Sequence, residues 1–429
     1  MRQWKTFCLE SRPERRRQHD PERGPMKRIL QIAVLIAATN PGASTAYAED
    51  SPTPPRLELS GFGTLGAVTT DNKDVWFTRN GVNFPGNKDP DFSPDTLLGL
   101  QGSLRLTEYN DVTVQVVARE DGAEKQDPRI TLAFLRQTLA PGLSMRIGRL
   151  RVPFFMLSDS LYVNYANMWV RPPVEVYGLN PFNDLDGVDL IYHTRIGELD
   201  AEIHPYIGGG EIRFPQGKAR LKETAGVNVV LTQGDYSLHL GHGDARFTLE
   251  RGDTNFHAIS AALRAIGQQD VIDDLAGTDG RTSFNSIGAQ WDDGTWQFVG
   301  EYAHRHADRY VVSAHGWYLS LGRRFGNVMP YVTWARQSLD RQFAEANIPP
   351  GRFARAWERF LTSRNNAQHS LTIGTRWDLA SHAALKAEIS HVRPDRDSWG
   401  SYFPRPVDTP RVIGGESLTT FSLSLDLSF

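Results

Sequence analysis

The chain is almost without cysteine: of 429 residues only Cys8 is one, and it lies upstream of the segment read below as an export signal. A mature chain without thiols holds no disulfide, so its stability must come from hydrogen bonding and packing. Long apolar runs are missing as well. After Ala48 nothing approaches the roughly 20 consecutive apolar residues of a membrane-crossing helix, and mean hydropathy is negative, so helical spans are excluded. Positive charge is not in excess either. The chain carries 47 basic and 50 acidic residues, 9 and 4 of them before Glu49, which leaves 38 against 46 and a net charge of −8 for the remainder. That balance argues against a nucleic-acid binder.

What is present begins at Met26. Lys27 and Arg28 precede an apolar run, Ile29 to Ala38, and Ala46-Tyr47-Ala48 follows. A basic start, a short apolar centre and a small-residue cleavage site make a secretory signal peptide. The alternative, an amphipathic or anchoring helix, fits those flanks less well. Residues 1–25 are polar, Arg-rich and unpatterned, and read as an upstream start-site extension with translation beginning at Met26. The organisation expected is an extension over 1–25, a cleavable signal over 26–48 and one β-barrel domain over 49–429.

The barrel reading rests on alternation. From Thr419 to Phe429, Phe421, Leu423, Leu425, Leu427 and Phe429 are apolar, while Thr420, Ser422, Ser424, Asp426 and Ser428 are polar. Such a strand has one greasy and one wet face, and its length suits the ~9–11 residues that a tilted strand needs to cross the hydrocarbon. Equivalent segments occur at Leu57–Thr69, Thr96–Thr107, Asp111–Arg119, Arg129–Leu139, Leu143–Leu150, Gly187–Arg195, Leu199–Gly208, Glu223–Leu231 and Tyr236–Phe247. They continue at Ser283–Asp292, Thr295–His306, Val311–Phe325, Val328–Leu339, Gln368–Leu379 and His382–Val392. With the last strand these predict an all-β, transmembrane antiparallel barrel of about sixteen strands.

The links supply an independent pattern. Short ones, such as Ala140–Gly142, Gln233–Asp235 and Ala380–Ser381, alternate with mostly long ones, such as Thr70–Asp95, Arg151–Asp186, Gly209–Lys222, Thr248–Thr282, Asp340–Ala367 and Arg393–Ser417. Alternating lengths are expected when one set forms periplasmic turns and the other external loops. Two of the long links carry helical spacing: Asn255–Gly277, through Phe256, Ile259, Leu263 and Ile266, and Arg352–Ser363, through Phe353, Trp357 and Phe360. They read as loops packing an apolar face over the barrel mouth.

Three segments carry a family resemblance. Leu59-Ser60-Gly61-Phe62-Gly63-Thr64-Leu65-Gly66 resembles the opening strand of the Gram-negative outer-membrane porins, and the terminal Phe429 resembles their last residue, part of the signal read by the barrel assembly machinery. Arg146-Ile147-Gly148-Arg149-Leu150-Arg151-Val152-Pro153-Phe154 resembles the strand leading to the inward-folded third loop of the phosphate-selective and dicarboxylate-type sixteen-stranded porins. The resemblance implies a homotrimer in the outer membrane among lipid and lipopolysaccharide, without cofactor. It also implies passive diffusion of small hydrophilic solutes and ions past a third loop, here Arg151–Asp186, folded into the lumen.

The candidate constriction follows from that picture. Arg105, Arg119, Arg146, Arg324, Arg376 and Lys386 stand on the polar parity of their strands, with Arg149 beside Arg146 and Arg171 on the loop; Glu175, Asp184 and Asp186 supply acid from the loop. Opposed charges in a narrow passage set up a transverse field that favours polar solutes over apolar ones. Each such arginine also has a plainer reading, as a wall residue away from the narrowest point. His304 and His306 share a strand face, but no third ligand is near, and no metal site is expected; His239 and His242 fall on opposite faces. Two other classes stay open: a barrel enzyme of the phospholipase or protease type, for which no G-x-S-x-G elbow or Ser/His/acid constellation is visible, and a plugged structural or adhesive barrel. The many charges without evident partners on the polar parity favour a wet lumen over a plug.

Overall fold

The computed structural model describes residues 55–79, 89–120, 127–214, 217–251, 254–342, 344–404 and 413–429; the extension and signal expected before Glu49 lie outside them. Eighteen strands are formed. They are β1 (Arg56–Thr70), β2 (Val75–Phe77), β3 (Leu97–Arg105), β4 (Asn110–Arg119), β5 (Pro128–Ala140), β6 (Leu143–Arg151), β7 (Asp184–Ile196), β8 (Leu199–Phe214) and β9 (Gly217–Gln233). The chain continues through β10 (Tyr236–Arg251), β11 (Gly280–Asp292), β12 (Trp296–Ala307), β13 (Ser313–Arg323), β14 (Val328–Arg341), β15 (Gln368–Ala380), β16 (Ala383–Pro394), β17 (Tyr402–Pro404) and β18 (Leu418–Ser428). All but β2 and β17 join in one closed antiparallel barrel of sixteen strands, each paired with its sequence neighbour. The seam is β1 on β18, in register from Phe62↔Ser428 to Thr70↔Thr420. Closure leaves no unpaired edge, which suits strands meant for a solvent that cannot hydrogen-bond them.

Burial runs opposite to that of a water-soluble domain. On β18, Phe421, Leu423 and Leu427 are exposed while Thr420, Ser422, Ser424 and Asp426 are buried. On β15, Leu371, Ile373, Trp377 and Leu379 are exposed and Gln368 and Ser370 buried. The period-2 pattern therefore places apolar side chains around the outside and polar ones inside, as a barrel wall in lipid requires. No helix among the described residues is long and apolar enough to cross a membrane.

Every segment expected to be a strand is one. The links depart in places: β2 and β17 form inside the expected loops Thr70–Asp95 and Arg393–Ser417, and β7 begins at Asp184, inside the expected link Arg151–Asp186. Gly209–Lys222, expected as a long loop, is instead the continuation of β8 and β9, in register down to Phe214↔Gly217. Its charges form a ladder: Glu211 binds Arg213 at 3.1 Å and Arg220 at 2.8 Å, and Lys218 reaches Glu250 at 3.3 Å. Ion pairs hold one face of the hairpin, while Ile212, Phe214, Ala219 and Leu221, alternating with them, pack on the other face.

Among the described residues four helices lie in the links: α1 (Val174–Tyr177), α2 (Thr254–Ala265), α3 (Gln269–Ala276) and α4 (Arg352–Thr362). The helical spacing expected across Asn255–Gly277 is split between α2 and α3, because Gly267 takes a positive φ of 76° and turns the chain. Leu263 of α2, Val271 and Leu275 of α3 and Trp357 of α4 are buried in one apolar cluster with Phe154, Phe155, Trp169, Tyr177, Phe182, Phe284, Tyr318 and Tyr331.

Candidate functional site

The link between β6 and β7, residues 152–183, holds Pro153, Pro172, Pro173 and Pro181, each of which fixes its own φ and removes a donor. Regular structure is confined to a 3₁₀ turn at Asn164–Ala166 and to α1, a single turn that starts directly after Pro173. With few internal partners, its backbone groups must find others. They find side chains on the inner parity of the wall. Glu301 accepts the Met156 N–H at 2.8 Å, and Glu388 the Val170 N–H at 2.9 Å. Arg376 donates to the carbonyls of Tyr165 (2.6 Å) and Asn167 (3.0 Å), and Lys386 to those of Asn164 (2.6 Å) and Trp169 (2.8 Å). The Trp169 indole N–H reaches Thr333 Oγ1 at 2.9 Å and Ser320 Oγ at 3.1 Å.

The expected site residues divide into groups. Arg376 and Lys386 meet the segment, as just described; Lys386 also binds Asp426 at 2.9 Å, both side chains wholly buried. Arg171 clamps Asp95 through Nε at 2.8 Å and through Nη2, and donates to Ser422 Oγ at 2.9 Å. Its guanidinium lies 4.6 Å from the Phe77 ring centre. Glu175, in α1, accepts from Gln368 Nε2 (2.8 Å) and Ser370 Oγ (2.7 Å). α1 stands so close to β13 that a Cβ at Gly316 would collide with the Glu175 carbonyl.

Of the others, only Arg119 touches the segment, through the Tyr162 ring. Arg146 grips Asp189 through Nη2 (2.6 Å) and Nε (3.0 Å), and Asp189 is shared with His204 at 2.7 Å. Arg119 stacks on Tyr162, which Arg151 also covers. Arg324 forks onto Asp292 at 2.6 and 2.7 Å beside the β13–β14 turn, and Arg105 borders an open pocket with Asp111 and Arg136 at the turn end of β3. Asp184 and Asp186 belong to β7 rather than to the link. Arg149 pairs with Asp186 at 2.7 Å, but it shares the outward parity of Ile147, and both members of the pair are substantially exposed.

Two expectations change. Charges taken as unpartnered are paired: Lys386 with Asp426, Arg171 with Asp95, Arg146 with Asp189, Arg324 with Asp292. The argument they gave for a wet lumen falls with that. Nor do loop acids face wall bases; the wall bases meet loop carbonyls, and the wall acids Glu301 and Glu388 meet loop N–H groups. Those acids, with Asp426, Asp189 and Asp95, were passed over. Glu301, Glu388, Asp426 and Asp189 stand on the polar parity of correctly placed strands, so searching that parity for both signs of charge finds them. His304 is joined to His315, not His306, through Asp340 at 3.3 and 2.6 Å. Among the described residues no group of three His, Cys, Asp or Glu is arranged to hold a metal ion.

No protein-family profile and no curated protein sequence matches this chain. Solved structures do. The anion-selective porin from Comamonas acidovorans is 13% identical at a TM-score of 0.51, with 87% of this chain and 100% of that one covered. OmpF of Salmonella typhi, in complex with daunomycin, is 11% identical at 0.52, covering 87% and 97%. OmpT of Vibrio cholerae, an outer-membrane protein in its in-vitro folded trimer form, is 13% identical at 0.51, covering 88% and 100%. The chain has the fold of the Gram-negative outer-membrane porins; at these identities the likeness names no subfamily.

Proposed function

We propose that this chain is an outer-membrane porin, a channel through which small hydrophilic or charged solutes diffuse passively. The observation that carries the reading is the inverted burial around a closed sixteen-strand barrel, apolar side chains exposed and polar ones enclosed. Exposed Tyr109, Tyr192, Tyr236, Phe325 and Trp377 towards the short turns, and Tyr302 and Trp334 towards the long links, fit the aromatic girdles of such a wall. In this reading the chain is exported through a Sec-type signal and inserted by the barrel assembly machinery, which reads Phe429. It sits among lipid and lipopolysaccharide with short turns periplasmic and long loops outside, and it assembles as a homotrimer, the form named for the OmpT relative in fold. The 152–183 segment lies within the lumen and narrows it. Ions are sorted beside the segment that carries Arg171 and Glu175 and that Arg376 and Lys386 hold to the wall, with Arg146 and Asp189 as a further charged pair on the wall.

A second reading has its own support. The buried pairs and the aromatic cluster joining the segment to β11–β14 are what a plugged barrel would contain. The matched structures are described as porins, outer-membrane proteins and a channel, which makes an enzyme the weakest of the three. Planar-bilayer recording of the refolded protein decides: stable conductance supports the channel and its absence supports the plug. In a salt gradient, Glu175→Ala and Arg146→Ala should each shift the reversal potential. If neither shifts it, the constriction is misplaced.

A further inference from the structure

The inner wall of β9–β12 departs from the polar-inside rule. Ala245, Phe247 and Phe284 are buried on it, where a water-filled barrel places polar side chains. Together with Phe154 and Phe182 of the 152–183 segment they enclose a cavity of about 70 Å³, counted as the space open to the centre of a water molecule. Extended by a water radius on every side, that space holds roughly one substituted aromatic ring. Two of its rings already meet: Phe154 stands 5.4 Å from Phe284, centre to centre.

One charged side chain enters this apolar wall without an opposite charge. Arg305, half-buried on β12, donates Nε (3.1 Å) and Nη2 (2.8 Å) to the Val312 carbonyl and Nη1 to the Leu179 carbonyl. Those bonds use three of its five N–H groups. Among the described residues no carboxylate pairs with it, in contrast to Arg146, Arg171 and Arg324. Asp244 borders the cavity, but its carboxylate is mostly exposed and bound to His242 at 3.2 Å. Arg281 and Arg309 also border it. A guanidinium with one N–H unspent on each of Nη1 and Nη2, bordering an aromatic-lined space one ring wide, matches the chemistry of a carboxylate attached to an apolar body.

We propose that this cavity binds amphipathic carboxylates, acids with one ring or a short alkyl chain, and that such anions are among the solutes the barrel passes. The binding part stands on the cavity alone; the transport part rests on the channel reading above. The carboxylate takes the free N–H groups of Arg305, and the apolar body replaces water between Phe154, Phe182, Phe247 and Phe284. Simple inorganic anions gain only the first of these, and neutral aromatics only the second.

Isothermal titration of the detergent-folded full-length mature chain tests the binding, with benzoate, benzamide and acetate as probes. Benzoate should bind at least about tenfold more tightly than either of the others, the scale of a hydrogen bond to a charged group. Arg305→Gln should abolish the advantage over benzamide. Because Arg305 also ties Leu179 to Val312, a second variant, Ala245→Leu, fills the cavity without touching those ties; it should weaken benzoate and benzamide alike. Equal affinity for the three probes on the unsubstituted protein, or a benzoate preference that survives Arg305→Gln, overturns the site. Bilayer recording separates the two readings: binding without conductance leaves the site and removes the channel, and conductance without preference does the reverse.

Discussion

Single side chains here do opposite jobs on the two parities of one strand, and the inner parity is the sensitive one. Lys386 and Asp426 are both fully enclosed, and Asp426 also accepts from Thr64 Oγ1 at 2.7 Å. Removing one member strands the other in a medium that cannot solvate it, so Lys386→Met should cost about 3–5 kcal/mol of unfolding free energy in urea titrations from detergent or vesicles. Lys386→Met combined with Asp426→Leu should recover most of that loss; a double variant as unstable as the single one would show that the pair is not the cause. Gly316 gives a test without charge. A side chain there meets the Glu175 carbonyl, so Gly316→Val should push α1 from the wall, break its bonds to Gln368 and Ser370, and raise channel noise and proteolysis within 152–183. Gly322, further along β13, has the Met329 and Tyr331 side chains as its nearest neighbours, 3.3 and 3.4 Å from an added Cβ, and Gly322→Ala should leave both measures unchanged.

At the scale of elements, strands were legible and contacts were not. Alternation at Thr419–Phe429 or Gln368–Leu379 names a strand and its lipid face at once, because side-chain direction along a strand has a period of two whatever the partner. It cannot say which inner residues share a height, since that depends on register and tilt. Arg324 and Lys386 looked equivalent in sequence, and one sits by a turn while the other holds the segment between β6 and β7. The β8–β9 extension runs the other way round: its apolar residues Ala219 and Leu221 are buried and its charges pair across strands on the opposite face, the reverse of the parity that marks a strand in lipid. The turns carry their own stabilisation. At the β11–β12 turn, Asp293 accepts from the Trp296 N–H at 2.7 Å and the Thr295 N–H at 2.8 Å, which hold its carboxyl below the usual range. A lowered folded-state value means a contribution present above the ordinary carboxylate value, about 3.9, and lost as pH falls through the lowered one. Asp293→Asn should therefore lower the melting temperature at neutral pH, and the difference should close in strong acid.

For the molecule as a whole, hydrogen bonds from Arg376, Lys386, Glu301 and Glu388 tie the segment over 152–183 to the wall. Replacing 164–177 with a Gly-Ser linker removes the bonds made by Lys386, Arg376 and Glu388, and single-channel conductance should rise several-fold; unchanged conductance would place the narrowest point elsewhere. The seam has a further feature. β2 and β17, which flank β1 and β18 in sequence, pair with each other beside it, with Phe77 against Tyr402 at 6.1 Å and Tyr402 Oη on Thr420 Oγ1 at 2.7 Å. The first and last strands are thus fastened twice, once along the ladder and again by a clasp of loops at one end. To part the wall at this seam, the ladder and the clasp would both have to break.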